Sequence, residues 1–192
     1  MMVNLVKGQK VELTKSNPGL TKINAGLGWD VNAFDSGTAF DLDAEVFLLG
    51  DNGKVTSDSD FVFYGNMTHP SGAVEHTGDN RDGAGDGDDE TIKIDLSRVP
   101  ESITRISFAA TIYDAETRNQ NFGQVRNAFI RIYNPDTNEE LIRYDLTEDY
   151  SIETALIIAE LYRHNGEWKF NAVGAGYQGG LEAICRGYGV NV

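Results

Sequence analysis

The chain has 192 residues, 40% hydrophobic and 10% aromatic, with 30 acids against 16 bases and a net charge of −14. This is enough apolar material for a globular core rather than a disordered acidic tail, and no run of 18 apolar residues is present to span a membrane. The negative sign argues against nucleic acid and direct binding to anionic lipid, and the single cysteine, Cys185, excludes an internal disulfide framework or a cysteine-rich zinc site.

Most elements predicted along the chain are strands. Residues 3–15 hold two short alternating runs around Lys7-Gly8-Gln9 and read as a hairpin. Nothing in this N-terminal stretch resembles a signal peptide, and with so little cysteine a cytoplasmic location is expected. Residues 22–30 read as a strand loosened by Gly26 and Gly28, where glycine beside Trp29 marks a bulge. Residues 40–50, FDLDAEVFLLG, form a strand closed by the turn Asp51-Asn52-Gly53. Further strands are predicted at 60–66, 90–96, 105–114, 127–134 and 139–146, with a helical turn at 115–123. The stretch 153–175 contains helix-favouring ETALIIAELYRH, but Asn165-Gly166 and the alternating run after it favour a long hairpin. GGLEAICRGYG, 179–189, is the best helix, ended by Gly187 or Gly189. Many short strands between turn signals, with no repeat and no linker, predict an all-β chain: one domain over 1–192, a β-sandwich of two antiparallel sheets with a short C-terminal helix and a long acidic loop.

The charge is not spread evenly. Residues 29–90 carry 15 acids and two bases, while the other 130 residues carry 15 acids and 14 bases. Asp41 and Asp43 are two apart in a strand, so they share a face about 6–7 Å apart. That face is either wet and screened or a cation site, and these two residues alone do not decide. The loop GDNRDGAGDGDDE, Gly78 to Glu90, holds six acids interleaved with glycines. Glycine lets a backbone turn carbonyls inward, and oxygen-only donors on such a loop suit Ca²⁺, which takes six to eight oxygens at about 2.3–2.6 Å. Zinc would want His or Cys, which the loop lacks. It is not an EF-hand, because Arg81, Gly83 and Ala84 stand where that motif needs two Asp or Asn residues and a Gly. Asp30, ending GLGWD, is a solvated strand end or a further ligand. A dinucleotide site is not indicated there, since the third glycine is missing.

The motifs GLGWD, FDLDAEVFLL, DFVFYGN, HTGDNRDGAGDGDDE, FGQVRNAFIRI, RYDLTED and ELYRHNGEWKFNAVGAGY resemble those of the TerD family of tellurite-resistance and stress-response proteins, from about Val3 to Val190. The resemblance implies a β-sandwich with two adjacent Ca²⁺ sites. Carried over position by position, it implies Asp30, Asp41, Asp43, Asp79, Asp86, Asp88, Asp89 and Glu90 as ligands, with Asn80 and loop carbonyls as additions. Asp82 stands where relatives often have a non-acid and is left out. The resemblance also implies partners among other tellurite-resistance proteins, including a membrane-embedded one that would recruit this chain to the inner face of the membrane without insertion of its own.

The expected function is therefore a non-catalytic, calcium-binding stress-response module whose acidic loop orders when Ca²⁺ neutralises it. A permanently filled structural site is the alternative use of the same ions. Tellurite is an oxyanion that so acidic a chain repels, so any resistance is expected to be indirect. Two rivals remain open at this point: a metal-dependent phosphoesterase, and a Ca²⁺-dependent sugar or phospholipid module. No nucleophile–base pair is placed, and only Arg81 accompanies the acids. His76 is expected to anchor hydrogen bonds, His164 to be structural, and Cys185 to be a buried apolar residue.

Overall fold

Two six-stranded sheets carry the chain, described in the computed structural model for residues 1–31, 40–78 and 87–192. The first runs β1 (Val3–Leu5), β10 (Glu140–Asp145), β9 (Val125–Tyr133), β3 (Lys22–Val31), β7 (Glu90–Asp95), β6 (Val74–His76). The second runs β2 (Lys10–Glu12), β12 (Glu167–Tyr177), β11 (Ala155–His164), β8 (Arg105–Ile112), β4 (Leu42–Leu49), β5 (Phe61–Val62). Neighbours are antiparallel, except that β1 lies parallel to β10. Alternation builds the core between the sheets: Ile23, Ala25 and Leu27 from β3, Ile130 and Ile132 from β9, and Ile92 and Ile94 from β7 meet Leu42, Ala44, Val46 and Leu48 from β4 and Phe108 from β8.

The other face of the second sheet is covered as well. Phe47 and Leu49 on β4, Ala109 on β8 and Ile157 on β11 pack under Ile184 and Cys185 of the helix α2 (Gly180–Tyr188). Strand β4 is consequently buried along its whole length. Its outward-facing carboxylates, Asp43 and Glu45, are 7% and 1% exposed, an expensive placement that demands an explanation. The helix ends at Gly189, whose left-handed φ of 80° is easy only for glycine. Burial pushes the Cys185 thiol up to about 12, with a further push from Glu45, which agrees with its reading as an inert apolar residue.

The sandwich, the 155–177 hairpin about Asn165-Gly166, the bulge between Gly28 and Asp30, and the C-terminal helix match the sequence reading. A short helix, α1 (Ala115–Arg118), occupies the predicted turn. Two expectations are corrected, and one element is new. Residues 3–15 are not a hairpin, because β1 joins β10 in one sheet and β2 joins β12 in the other. Gly8 N–H and Gln9 O bond to Ala172 rather than closing a two-strand ladder, so the turn crosses between sheets. The strand at 60–66 shrinks to Phe61–Val62, because Phe63 and Asn66 close a tight turn on each other. Strand β6 was not anticipated, and its three residues are too short to show a period.

Candidate metal centre

The ends of β3, β10 and β12 and the starts of β4, β7, β9 and β11 lie at one end of the sandwich, set by the antiparallel registers within each sheet and by the Ala44–Glu90 bond between the sheets. This topology gathers acids from three separate stretches: Asp30, then Asp41 and Asp43, then Asp88, Asp89 and Glu90. Asp79, Asn80 and Asp86 fall outside the described residues. Among the described residues, no group of three or more His, Cys, Asp or Glu side chains is close enough to hold an ion by itself.

Asp30 is exposed, and its Oδ2 accepts from the Asn127 amide at 2.6 Å. Asp41 accepts the Tyr113 N–H through its carbonyl, and its buried Oδ1 has no hydrogen-bond partner. Asp89 is fixed twice to β3: its N–H donates to Leu27 O at 2.7 Å, and its Oδ2 accepts from Trp29 N–H at 2.8 Å.

Asp88 lies over Gly26, where a Cβ would collide with its carboxylate, so glycine is required there by close approach. Both of its oxygens accept from Arg131, at 2.7 and 2.8 Å. Arg131 also donates to Glu140 at 3.2 Å and stacks over Tyr133. The pair with Asp88, helped by Glu140, drives the guanidinium still further toward its charged form. Sequence reading had only Arg81 beside the acids; the fold adds Arg131 from β9.

Glu90 is 2% exposed and points between the sheets. Strand β5 pairs only with Val46 and Phe47, which leaves the margin of β4 open beyond them. There Ala44 N–H donates to Glu90 Oε2 at 2.6 Å. His76 Nε2 stands 3.3 Å from the same oxygen, while its Nδ1 accepts from Gly78 N–H at 3.1 Å. His76 is thus a buried anchor for Glu90, as expected.

Sequence reading missed Glu45. It is next on the same face of β4, so the alternation that grouped Asp41 with Asp43 extends to it. Its Oε1 accepts from the Thr111 hydroxyl at 2.5 Å, and its buried Oε2 has no hydrogen-bond partner. Burial pushes its carboxyl well above the usual range against the Thr111 hydrogen bond, and the charges of Asp43 and Glu90 push it further. Between the unfolded and folded pKa values, the unfolded chain releases a proton that the folded one keeps. Stability is therefore full below the unfolded pKa and falls as pH rises, by up to about 1.4 kcal/mol per pH unit. In metal-free protein Glu45→Gln is expected to melt above wild type at neutral pH, with the gap closing near pH ~4; thermal melts across that range check it.

A Ser–His–Asp chain was also missed, since its members lie in short irregular segments. Asp60 Oδ1 lies 2.9 Å from His69 Nε2, and His69 Nδ1 lies 2.7 Å from Ser71 Oγ. Burial opposes ionisation of Asp60, but hydrogen bonds from Thr56, His69 and Ser57 outweigh it and hold the carboxyl below its usual range. Ser71 Oγ also accepts from Ala73 N–H at 3.1 Å. Both ends of the chain are bound into local turns, and it ties the segment before β5 to the segment before β6.

The arrangement is chemically suited to a hard cation. The donors are all oxygen, and Asp41, just before β4, and Glu45, on β4, each hold a buried carboxylate oxygen without a hydrogen bond. A family model described as "TerD domain" matches residues 1–188. "General stress protein 16U" of Bacillus subtilis (strain 168) is 62% identical over 192 residues, covering all of both chains. "Tellurium resistance protein TerD" of Serratia marcescens is 57% identical over 191 residues, 100% of this chain and 99% of that one. A solved homologue of telluride resistance protein (TerD) from Streptomyces coelicolor A3(2) superposes with a TM-score of 0.70 at 21% identity, covering 86% of this chain and 95% of that one.

Proposed function

Since the chain belongs to the TerD family, we propose that it is a non-catalytic stress-response protein of the tellurium-resistance type whose acidic end binds calcium, with two ions as the expected load. The observation that carries this reading is the row Asp41, Asp43, Glu45. Asp43 and Glu45 share one face of a strand buried on both sides and half-buried Asp41 immediately precedes it, and Asp41 and Glu45 each keep a buried oxygen without a hydrogen bond. A bound Ca²⁺ would add positive charge beside this row.

Asp41 and Asp43 would hold the ion from the strand, and Asp89 and Glu90 would close on it from the start of β7. The resemblance adds Asp30 and Asp88, which here accept from Asn127 and from Arg131. Asp79, Asn80 and Asp86 join the set on sequence alone. Ion binding then changes the charge and shape of this end, which is the surface offered to other tellurium-resistance proteins, a membrane-embedded one among them. No helix among the described residues is long and apolar enough to cross a membrane.

Calorimetric titration of chelator-stripped protein is the test. Calcium is expected to bind at two equivalents per chain, and magnesium much more weakly, because Mg²⁺ demands a stricter octahedron and gives up its water reluctantly. Absence of heat with millimolar calcium would sink the reading.

A further inference from the structure

A cleft of about 510 Å³ opens at the end of the sandwich opposite the acids, between the segment 14–21, the segment that follows β7 and the turn from β11 to β12. Among the described residues, three charged side chains line it: Lys15, Arg163 and Glu167. Pro18, Leu20 and Leu96 give it apolar walls.

Arg163 is a half-buried guanidinium without a carboxylate. It faces Trp168 across the ladder and stacks on that buried ring, 4.5 Å from its centre. Its Nε donates to Ile103 O at 2.9 Å, and its Nη2 donates to Val99 O and Pro100 O at 2.9 and 3.2 Å. These bonds fix the group and occupy one edge of it. Among the described residues, Nη1 has no hydrogen-bond partner and no carboxylate stands within ion-pair distance of Arg163.

Arg131 shows the contrast. It is half-buried too, but Asp88 and Glu140 drive it further toward its charged form. At Arg163 burial pulls the pKa below its ordinary value, and only the charge of Glu101 opposes this. Lys15, exposed at the cleft, likewise has no carboxylate partner among the described residues. The one acid in the cleft is already engaged. Glu167 Oε2 accepts from the Thr14 hydroxyl, and Thr14 Oγ1 accepts from Trp168 N–H at 2.8 Å. In a chain with 30 acids against 16 bases, two cations that face one cleft without a carboxylate mark a place for an anion from outside.

We propose that this cleft binds a phosphate monoester, its oxygens taken by Lys15 and the open Nη1 of Arg163 and its organic part by Pro18, Leu20 and Leu96. A dianion matches the two positive charges, and a planar guanidinium already fixed along its other edge loses little freedom in binding it. The volume is that of a small-ligand site. None of these residues belongs to the calcium set, so this site and the calcium reading fail separately. The ester can be a free small molecule or a phosphorylated side chain of another protein, so the test carries a probe for each.

Amide shifts of isotope-labelled protein, freed of metal on a chelating resin, are followed at low salt against phenyl phosphate, benzoate and Nα-acetyl-O-phosphoserine methylamide. One saturable phenyl phosphate site per chain is expected, with shifts centred on residues 14–21, 96–97 and 163–168. Affinity should fall about fivefold in Lys15→Gln and rise about threefold in Glu167→Gln, which keeps an acceptor for Thr14. Arg163→Gln should abolish saturable binding; should it fail to fold, the Lys15 and Glu167 variants decide the matter. Arg126→Gln removes a positive charge at the acidic end and should bind as wild type. Benzoate, the same ring on a monoanion, should bind about fivefold more weakly or worse. Shifts that do not saturate, an equal loss in Arg126→Gln and Lys15→Gln, or benzoate binding as tightly as phenyl phosphate would overturn the proposal. Tighter binding of the phosphoserine derivative than of phenyl phosphate supports the site and assigns its source to protein side chains, and the reverse order assigns it to a free ester.

Discussion

Calcium given to metal-free protein at about a hundred times its dissociation constant is expected to raise stability by about 2.7 kcal/mol. For a chain of this size that is a melting-temperature gain of about 5–10 °C. The expectation rests on the Asp41–Asp43–Glu45 row, in which burial and mutual repulsion are left uncompensated by hydrogen bonds at two oxygens. Two carboxylates about 5 Å apart repel by roughly 3 kcal/mol at an effective dielectric near 20. Asp41→Asn/Asp43→Asn should therefore lose the calcium-dependent gain, yet be no less stable than wild type in a chelator, because it removes that repulsion. Calorimetric melts with and without calcium read both effects. A double variant that still gains the full shift would show that the row does not hold the ion.

Arg131→Leu is expected to cost about 3 kcal/mol, the lower end of the range for breaking a buried pair, since the Arg131 side chain is 24% exposed and that of Asp88 7%. Asp88 cannot settle elsewhere easily, because its carboxylate is seated directly against Gly26. Urea unfolding measures the loss, and adding Asp88→Asn to Arg131→Leu should recover more than half of it by removing the stranded charge. Calcium discriminates between two roles for Asp88. If the carboxylate can serve as a ligand, saturating calcium should restore stability to Arg131→Leu more than it does to the double variant. A loss under about 1 kcal/mol would place this bond among ordinary surface pairs.

Much of the architecture was legible because alternation and turn chemistry are local. FDLDAEVFLL shows which side chains share a face, and Asn165-Gly166 fixes a hairpin without reference to the rest of the chain. Pairing partners are not local, and that is where the reading failed. The runs at 3–5 and 10–12 each alternate, but alternation says only that a strand has a buried side, not which sheet receives it. The acids illustrate the same limit. Their residue types and the strand spacing of Asp41 and Asp43 were visible, as was the extension to Glu45, had the period been followed one step further. The guanidinium that occupies Asp88 comes from 43 residues downstream, and the amide that binds Glu90 belongs to the opposite sheet. Both depend on how the sheets stack, which no window of sequence encodes.

The four outermost strands, β1, β2, β5 and β6, are only two or three residues long. A lateral ladder with another molecule needs a longer run of unpaired main-chain groups than these offer. The N-terminal segment supplies two of the four, closing one side of each sheet within its first twelve residues. Along these four strands themselves, association with other chains is thereby steered away from main-chain strand exchange and toward recognition by side chains.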